Sequence, residues 1–163
     1  MTPFQLAFCG LLVAACLYAC LRGGPPERIV AISFVVGAIA SQQAEVSKFA
    51  PFRSLEIGIL LVDLAMLGIF LALALVCTRF WPMAMVSFQG TQVLGHVARL
   101  LDHGTLPKAY FVLAVLWSFP MLLLLACGTW RHRNRHKRYG CDYSWVWQLP
   151  QSYRDGARCG DIP

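Results

Sequence analysis

Long apolar segments, separated by short links rich in glycine, proline or charge, dominate this chain of 163 residues. The clearest of them, 54–77, is apolar apart from Glu56 and Asp63. Because about 20 helical residues cross the hydrocarbon core of a bilayer, segments of this length are typical of membrane spans. The sequence therefore predicts an all-α fold, a polytopic transmembrane helix bundle of about five spans. We place the spans at 4–21, 27–49, 54–77, 82–103 and 106–130.

The composition excludes the other broad classes of protein. Hydrophobic residues make up 58% of the chain and charged residues 13%, whereas about 25% of a typical soluble domain is charged. So few charges do not cover the surface of a water-soluble domain, and disorder requires low hydrophobicity. The seven cysteines are an odd number and lie mostly within the apolar segments, so they do not indicate a disulfide framework.

The chain divides into a transmembrane bundle, 1–130, and a basic, aromatic tail, 131–163. The tail opens with a basic run, in which five cations fall within eight residues: Arg131, Arg133, Arg135, Lys137 and Arg138. We expect this run to lie against anionic lipid head groups at the membrane surface. Because membrane anchoring explains these cations, no nucleic-acid partner is predicted. The expected partners are the lipid bilayer and either another protein or a second copy of the chain.

The distribution of cations predicts the orientation of the bundle. One predicted side holds Arg22, Arg28, Arg79 and the five cations of the basic run, and the other holds Lys48, Arg53, Arg99 and Lys108. Cytoplasmic loops carry the excess of Lys and Arg, so the C-terminus is predicted to be cytoplasmic and the N-terminus outside. The general character of the chain is that of a small protein of the bacterial inner (plasma) membrane.

Ionisable and amide side chains form a stripe inside the predicted spans. Five of them follow one another along the fourth span at helical spacing: Gln89, Gln92, His96, Arg99 and His103. Glu56 and Asp63, seven residues apart, lie on one face of the third span. Because charged groups within a span are costly, such residues face the interior of a bundle. Glu45, on the second span, pairs along its helix with Lys48 and adds to this polar cluster.

The third and fourth spans form an antiparallel hairpin whose turn falls at Arg79-Phe80. Asp63 and His96 are equally distant from this turn, and so are Glu56 and His103. The spacing therefore predicts that Asp63 pairs with His96 or Gln92. By the same reasoning, we expect Glu56 to pair with Arg99 or His103.

Three interpretations of the polar stripe remain open. Polar side chains in membrane bundles often hold helices together, at about 0.6–2 kcal/mol for each contact. An acid beside a histidine also forms a proton or ion pathway, here through Asp63 and His96. The stripe can instead recognise a partner or a lipid. Small residues such as Gly37 and Gly68 are predicted to allow close packing of their helices.

No nucleophile elbow, P-loop, dinucleotide fingerprint or paired-histidine metal motif is present in the sequence. No cofactor is predicted, because His96 is the one histidine deep in a span and bis-histidine haem needs two. The histidines and cysteines of the tail match no standard zinc spacing. The expected function is that of a non-enzymatic accessory or assembly subunit of a larger membrane complex. A small transporter or proton-conducting protein that uses Asp63 and His96 is the alternative, and membrane-embedded catalysis is a third.

Overall fold

The computed structural model of the chain describes residues 3–46, 52–101, 107–139 and 144–145. Within these residues the fold is all-α, as predicted, with five helices and no strands. The helices are α1 (Pro3–Arg22), α2 (Pro25–Val46), α3 (Phe52–Val76), α4 (Trp81–Leu101) and α5 (Pro107–Tyr139). Three helices, α1, α2 and α5, begin at a proline. Proline suits the first turn of a helix because its missing N–H has no partner there anyway.

The five helices form a ring in chain order. Each helix packs against the next one, α5 closes the ring against α1, and α2 also reaches α5. The links Gly23–Gly24 and 77–80 are short, so the helices that they join run antiparallel. The end of α1, the start of α2, the 77–80 link and the last turns of α5 consequently share one end of the bundle, called the link end below.

The centre of the ring is a single apolar core to which every helix contributes. Its buried members are Ala15, Cys16, Ala19, Val30, Ala31, Phe34, Met66, Phe70, Leu73, Cys77, Met85, Met121, Leu122 and Leu125. Aromatic pairs join neighbouring helices. Phe34 of α2 and Phe70 of α3 have ring centroids 5.7 Å apart, and Phe8 of α1 meets Phe119 of α5 edge to face at 5.4 Å.

Glycines mark two close approaches between helices. A Cβ added at Gly37 would lie 2.6 Å from Met66 Sδ, and one added at Gly128 would lie 3.1 Å from the ring of Trp81. The predicted close packing at Gly37 is therefore confirmed. The same prediction for Gly68 is wrong, because no atom lies within 4 Å of an added Cβ there and the residue faces outward.

The last helix is longer than the span predicted for it. The sequence prediction ends the span at residue 130, but α5 continues to Tyr139 and includes the whole basic run. Arg and Lys have high helix propensity, and cations are favourable at a helix C-terminus because of the helix dipole. The basic run is thus a helical extension of the bundle rather than the start of an irregular tail.

One helix among the described residues is long and apolar enough to cross a membrane, and it corresponds to Gly58–Val76 of α3. Leu6–Arg22 of α1 is a shorter apolar helix. The five predicted helices are therefore present, but only one of them is a candidate membrane span among the described residues. α4 is not a candidate span because the polar stripe places Gln89, Gln92 and His96 along it, and these side chains make the helix less apolar.

The outer surface of the bundle is rich in large apolar side chains. Examples are Leu21 of α1, with 73% of its surface exposed, Leu61 and Leu75 of α3, with 60% and 76%, and Leu94 of α4, with 68%. Scattered exposed leucines are normal in soluble proteins, but continuous apolar surface marks contact with another protein or a membrane.

Candidate functional site

The first candidate site is a polar cluster at mid-helix, formed by Asp63, Gln89 and His96 and called the mid-bundle cluster below. His96 Nε2 lies 2.8 Å from Asp63 Oδ2. Gln89 Nε2 donates to Asp63 Oδ1 at 2.9 Å and also approaches the backbone oxygen of Asp63 at 3.3 Å. All three side chains are buried. Both carboxylate oxygens of Asp63 therefore face a polar atom of α4.

The geometry follows from the helical repeat of α4. Gln89 and His96 are seven residues apart, which is two turns and about 10 Å along the helix axis. Their side chains lie on one face, and Asp63 of the neighbouring helix fits between them. The cluster thus fixes the register of α3 against α4, the pair of helices with the most extensive contact in the bundle.

The prediction that Asp63 pairs with His96 or Gln92 is confirmed for His96, and Gln89 is a second partner that the prediction did not name. Gln89 contacts Asp63, whereas Gln92 Oε1 is buried with no hydrogen-bond partner among the described residues. Gln89 lies closer to the turn, so it reaches the carboxylate from the side opposite His96. What the cluster does chemically stays a prediction.

Four other predicted members of the cluster lie partly or wholly outside the residues that the structure describes. Glu45, Glu56 and Arg99 belong to α2, α3 and α4, but their side chains lie outside the described part of the chain. His103 lies outside the described residues altogether. The predicted pairing of Glu56 with Arg99 or His103 therefore remains a prediction.

A second polar cluster lies at the link end and consists of Glu27, Arg79, His132 and Ser144, called the link-end junction below. Arg79 Nη1 donates to Glu27 Oε1 in a buried ion pair. Arg79 Nη2 lies 3.0 Å from His132 Nδ1 and donates to Ser144 Oγ, also at 3.0 Å. Glu27 is completely buried, and 5% of the Arg79 side chain is exposed. One guanidinium thus joins three other segments of the chain.

Each partner of Arg79 comes from a different element. Glu27 occupies the first turn of α2, where a carboxylate is favoured by the helix dipole. His132 lies on α5, and Ser144 follows that helix. Thr78 N donates to Ser144 O at 3.3 Å, and Cys77 forms an isolated antiparallel bridge with Trp145. The chain beyond α5 is therefore fastened to the 77–80 link.

In the contact between Arg79 and His132, the imidazole Nδ1 is the hydrogen-bond acceptor. A guanidinium has no acceptor and keeps its proton in proteins, so His132 Nδ1 must be the acceptor and carry a lone pair. The ring is held close to the α1–α2 link, because a Cβ added at Gly24 would lie 3.1 Å from His132 Cε1. Glycine at position 24 gives the imidazole the room to reach Arg79.

The sequence prediction did not find the link-end junction. Arg79 was assigned to the cations that set the orientation, and Glu27 was given no role. Both residues fall on the same predicted side of the membrane. The signal that was available is an acid in the first turn of α2 together with a cation in the 77–80 link. The contribution of Ser144 had no such signal, since it depends on how the chain returns after α5.

The two polar clusters are separated by apolar core. Cys77 follows Asp63 by fourteen positions, which corresponds to about 21 Å along a helix. Buried Met66, Phe70 and Leu73 line this interval on α3, and Met85 lines it on α4. Within the described residues, no polar side chain of α3 bridges the two clusters.

The basic run of α5 lies at the link end, beyond the junction. Arg131, Arg135, Lys137 and Arg138 are exposed, and Arg133 is half-buried. The rings of His132 and His136, one turn apart, are stacked with centroids 6.2 Å apart. The predicted position of the run at a membrane surface stays a prediction.

Neither cluster has the ligand set of a metal site. No group of three or more His, Cys, Asp or Glu side chains that could hold a metal ion occurs in the part of the chain that the structure describes. Asp63 with His96 supplies two ligands that already face each other. Cys141 and Cys159, the cysteines of the tail, lie outside the described residues.

Comparison with known proteins gives no relative: no family model, no curated protein and no solved structure matches this chain. The two polar clusters and the surface of the bundle are therefore the features of the chain that indicate a function.

Proposed function

We propose that this chain is a multi-pass membrane protein that acts as a non-enzymatic accessory or assembly subunit of a larger membrane complex. The apolar exterior supports a membrane location. Exposed leucine, isoleucine and valine side chains occur on all five helices, and the sequence has too few charges to keep such a surface in water. In a bilayer the same side chains contact lipid tails at no cost.

The arrangement of polar groups supports a structural role. In the mid-bundle cluster both oxygens of Asp63 face a partner on α4, and the cluster is closed off from the link end by Met66, Phe70, Leu73 and Met85. A chain of hydrogen-bonding groups is needed to carry protons, and the described residues of α3 supply no polar side chain between the two clusters. The separation of the two clusters is the single observation that favours a structural subunit over a conducting protein.

The orientation and the membrane are part of this proposal. The link end carries Arg22, Arg28 and the basic run, so the positive-inside rule assigns this end to the cytoplasm. Arg79 does not add to that count as an exposed cation, because Glu27 neutralises it within the junction. A bacterial inner membrane is the location that we propose for the bundle.

Native mass spectrometry of the chain extracted from its own membrane in a mild detergent tests the proposal. We expect the 18.1 kDa chain to be found in fixed stoichiometry with other chains. The control is the same extraction after the membranes are dispersed in a harsh detergent, which should release the chain alone. Recovery of only the bare chain or a small multiple of it under mild conditions would contradict a role as a subunit.

Proton conduction is the second candidate function, and the contact between Asp63 and His96 favours it. A carboxylate 2.8 Å from an imidazole can exchange a proton with it. In proteoliposomes, a conducting protein should lose its pH-driven proton flux on the Asp63→Asn substitution while remaining folded. The matched control is Gln92→Leu on the neighbouring helix α4, because Gln92 Oε1 has no partner in the described structure. Equal flux in all three proteins would eliminate this candidate.

A further inference from the structure

The exposed apolar surface ends at a common level on three helices. On α1, exposed Leu21 is followed by exposed Arg22, and on α5, Trp130, with 58% of its surface exposed, is followed by exposed Arg131. On α2, which runs in the opposite direction to α1, exposed Arg28 precedes exposed Ile29. Each pair stands at the link end, so the three helices change from apolar to cationic in one layer.

The 77–80 link lies at the same level as these changes from apolar to cationic surface. Phe80 has 85% of its surface exposed, although it is bordered by the buried ion pair of Arg79 with Glu27. An exposed phenylalanine and an exposed tryptophan at the boundary between apolar and charged surface are typical of side chains at the level of lipid head groups.

The positive charge of this layer is not balanced by exposed acids in the described part of the chain. Four acidic residues fall within the described ranges: Glu27, Glu45, Glu56 and Asp63. Glu27 alone belongs to the link end, and it is completely buried against Arg79. Among the described residues, the ion pair therefore removes the one link-end carboxylate that would otherwise weaken the positive field of Arg22, Arg28 and Arg131 at the surface.

We infer that the link end binds anionic phospholipid head groups, with Arg22, Arg28 and Arg131 on the phosphates and Trp130 and Phe80 at the base of the head-group layer. This inference rests on the proposed membrane location. It extends the anionic-lipid contact expected of the basic run to Arg22 of α1 and Arg28 of α2, and adds the two aromatic side chains. Lys137 and Arg138, further along α5, extend the cationic surface away from the bundle. A zwitterionic lipid offers the same phosphate without net charge, so a selective preference for anionic lipid is the measurable consequence.

Quenching of Trp130 fluorescence by brominated lipids tests the inference. The full chain, with its other four tryptophans replaced by phenylalanine, is reconstituted in vesicles of brominated phosphatidylglycerol or brominated phosphatidylcholine. We expect phosphatidylglycerol to displace phosphatidylcholine with a relative binding constant on the order of fivefold for each cation contacted. Because Arg22 remains, the variant Arg28→Gln/Arg131→Gln should lose about 25-fold of this preference, fivefold for each cation removed.

A matched control removes two cations from the opposite end of the bundle. The variant Arg53→Gln/Lys108→Gln has the same net charge as Arg28→Gln/Arg131→Gln and should keep the full preference. In the unmodified five-tryptophan chain, roughly 1 M salt shortens the Debye length to about 3 Å and should reduce the preference in the same direction. This measurement needs no substitution and does not depend on the folding of a variant.

The outcomes separate this inference from the proposed function. Quenching by both lipids with no preference overturns the inference and leaves the membrane location intact; the basic layer then serves an acidic protein surface. An equal loss of preference in the two double variants also overturns it, because the effect is then one of net charge. If neither brominated lipid quenches Trp130, the chain does not span the bilayer as proposed, and the proposed function fails first.

Discussion

The mid-bundle cluster and the link-end junction each supply partners to a buried carboxylate, but the partners come from different parts of the fold. Each buries one carboxylate, but Asp63 is held by two residues of the next helix, whereas Glu27 is held by an arginine that also contacts α5 and the segment after it. The first cluster fixes the register of one hairpin. The second ties together segments that are far apart in the sequence, so its loss should affect the whole link end.

The strongest test of this difference is to remove the arginine. Arg79→Met leaves Glu27 buried without a cation, and breaking a buried ion pair in this way costs about 3–5 kcal/mol. We expect a loss of this size in the free energy of unfolding, measured by titration with a denaturing detergent. The substitution also removes the donor to His132 and Ser144, so protease sensitivity after Tyr139 should rise.

The control for this prediction is the double variant Glu27→Gln/Arg79→Met. Because no charge remains buried, it should recover at least half of the lost stability. If the double variant is as unstable as Arg79→Met alone, the ion pair is not what stabilises the link end, and the junction is equivalent to any other packed contact.

Removal of a partner from the mid-bundle cluster should have a smaller effect. His96→Leu leaves Asp63 Oδ2 facing an apolar side chain, and an unsatisfied buried polar group costs about 1–3 kcal/mol. The second substitution Asp63→Asn keeps an acceptor for Gln89 and removes the charge, so Asp63→Asn/His96→Leu should be more stable than His96→Leu. Thermal unfolding followed by tryptophan fluorescence measures both. Equal melting temperatures would show that Asp63 is already uncharged or has another partner.

Two glutamines three residues apart on α4 test which amide belongs to the mid-bundle cluster. Gln89→Leu removes a hydrogen bond to Asp63 Oδ1 and should destabilise the fold by about 1–3 kcal/mol. Gln92→Leu removes an amide oxygen that has no partner in the described structure, so its effect should be near zero or stabilising. Comparable destabilisation by both would mean that Gln92 has a partner of its own, and the cluster would then extend further along α4.

The smallest expected effects concern the apolar layer between the clusters. Gly68→Ala meets no atom within 4 Å of the new Cβ, and replacing a glycine within a helix stabilises by about 0.5–1 kcal/mol. Gly37→Ala places a Cβ 2.6 Å from Met66 Sδ, so the methionine must move and the gain should be lost. Denaturing-detergent titration distinguishes the two variants. A gain at both positions would show that α2 and α3 are less tightly packed than described.

The hairpin contact was predictable because it depends on local geometry. Two helices joined by a tight turn must run antiparallel, so equal distances from Arg79-Phe80 bring Asp63 opposite His96. The spacing alone left His96 and Gln92 as alternative partners and did not name Gln89, which donates to Asp63 Oδ1. That choice depends on the rotation of α4 about its axis, which the core residues Met85 and Val93 fix by being buried.

The link-end junction was not predictable in the same way. Glu27 and Arg79 are 52 residues apart, and Arg79 and Ser144 are 65 apart. No periodicity relates positions on four different segments. Their meeting depends on the closure of the ring by α5 against α1 and on the return of the chain to the 77–80 link, and neither is encoded in any one segment.

The sequence alone predicts the five helices, the approximate ends of α1 to α4 and the pairing of Asp63 with His96, since helix periodicity and short links act over a few residues. The tertiary structure adds that Arg79 is an internal ion-pair partner and not a surface cation, and that Gly68 faces outward. The physical reason is that burial and charge pairing are properties of helix packing, which brings together residues from distant parts of the chain.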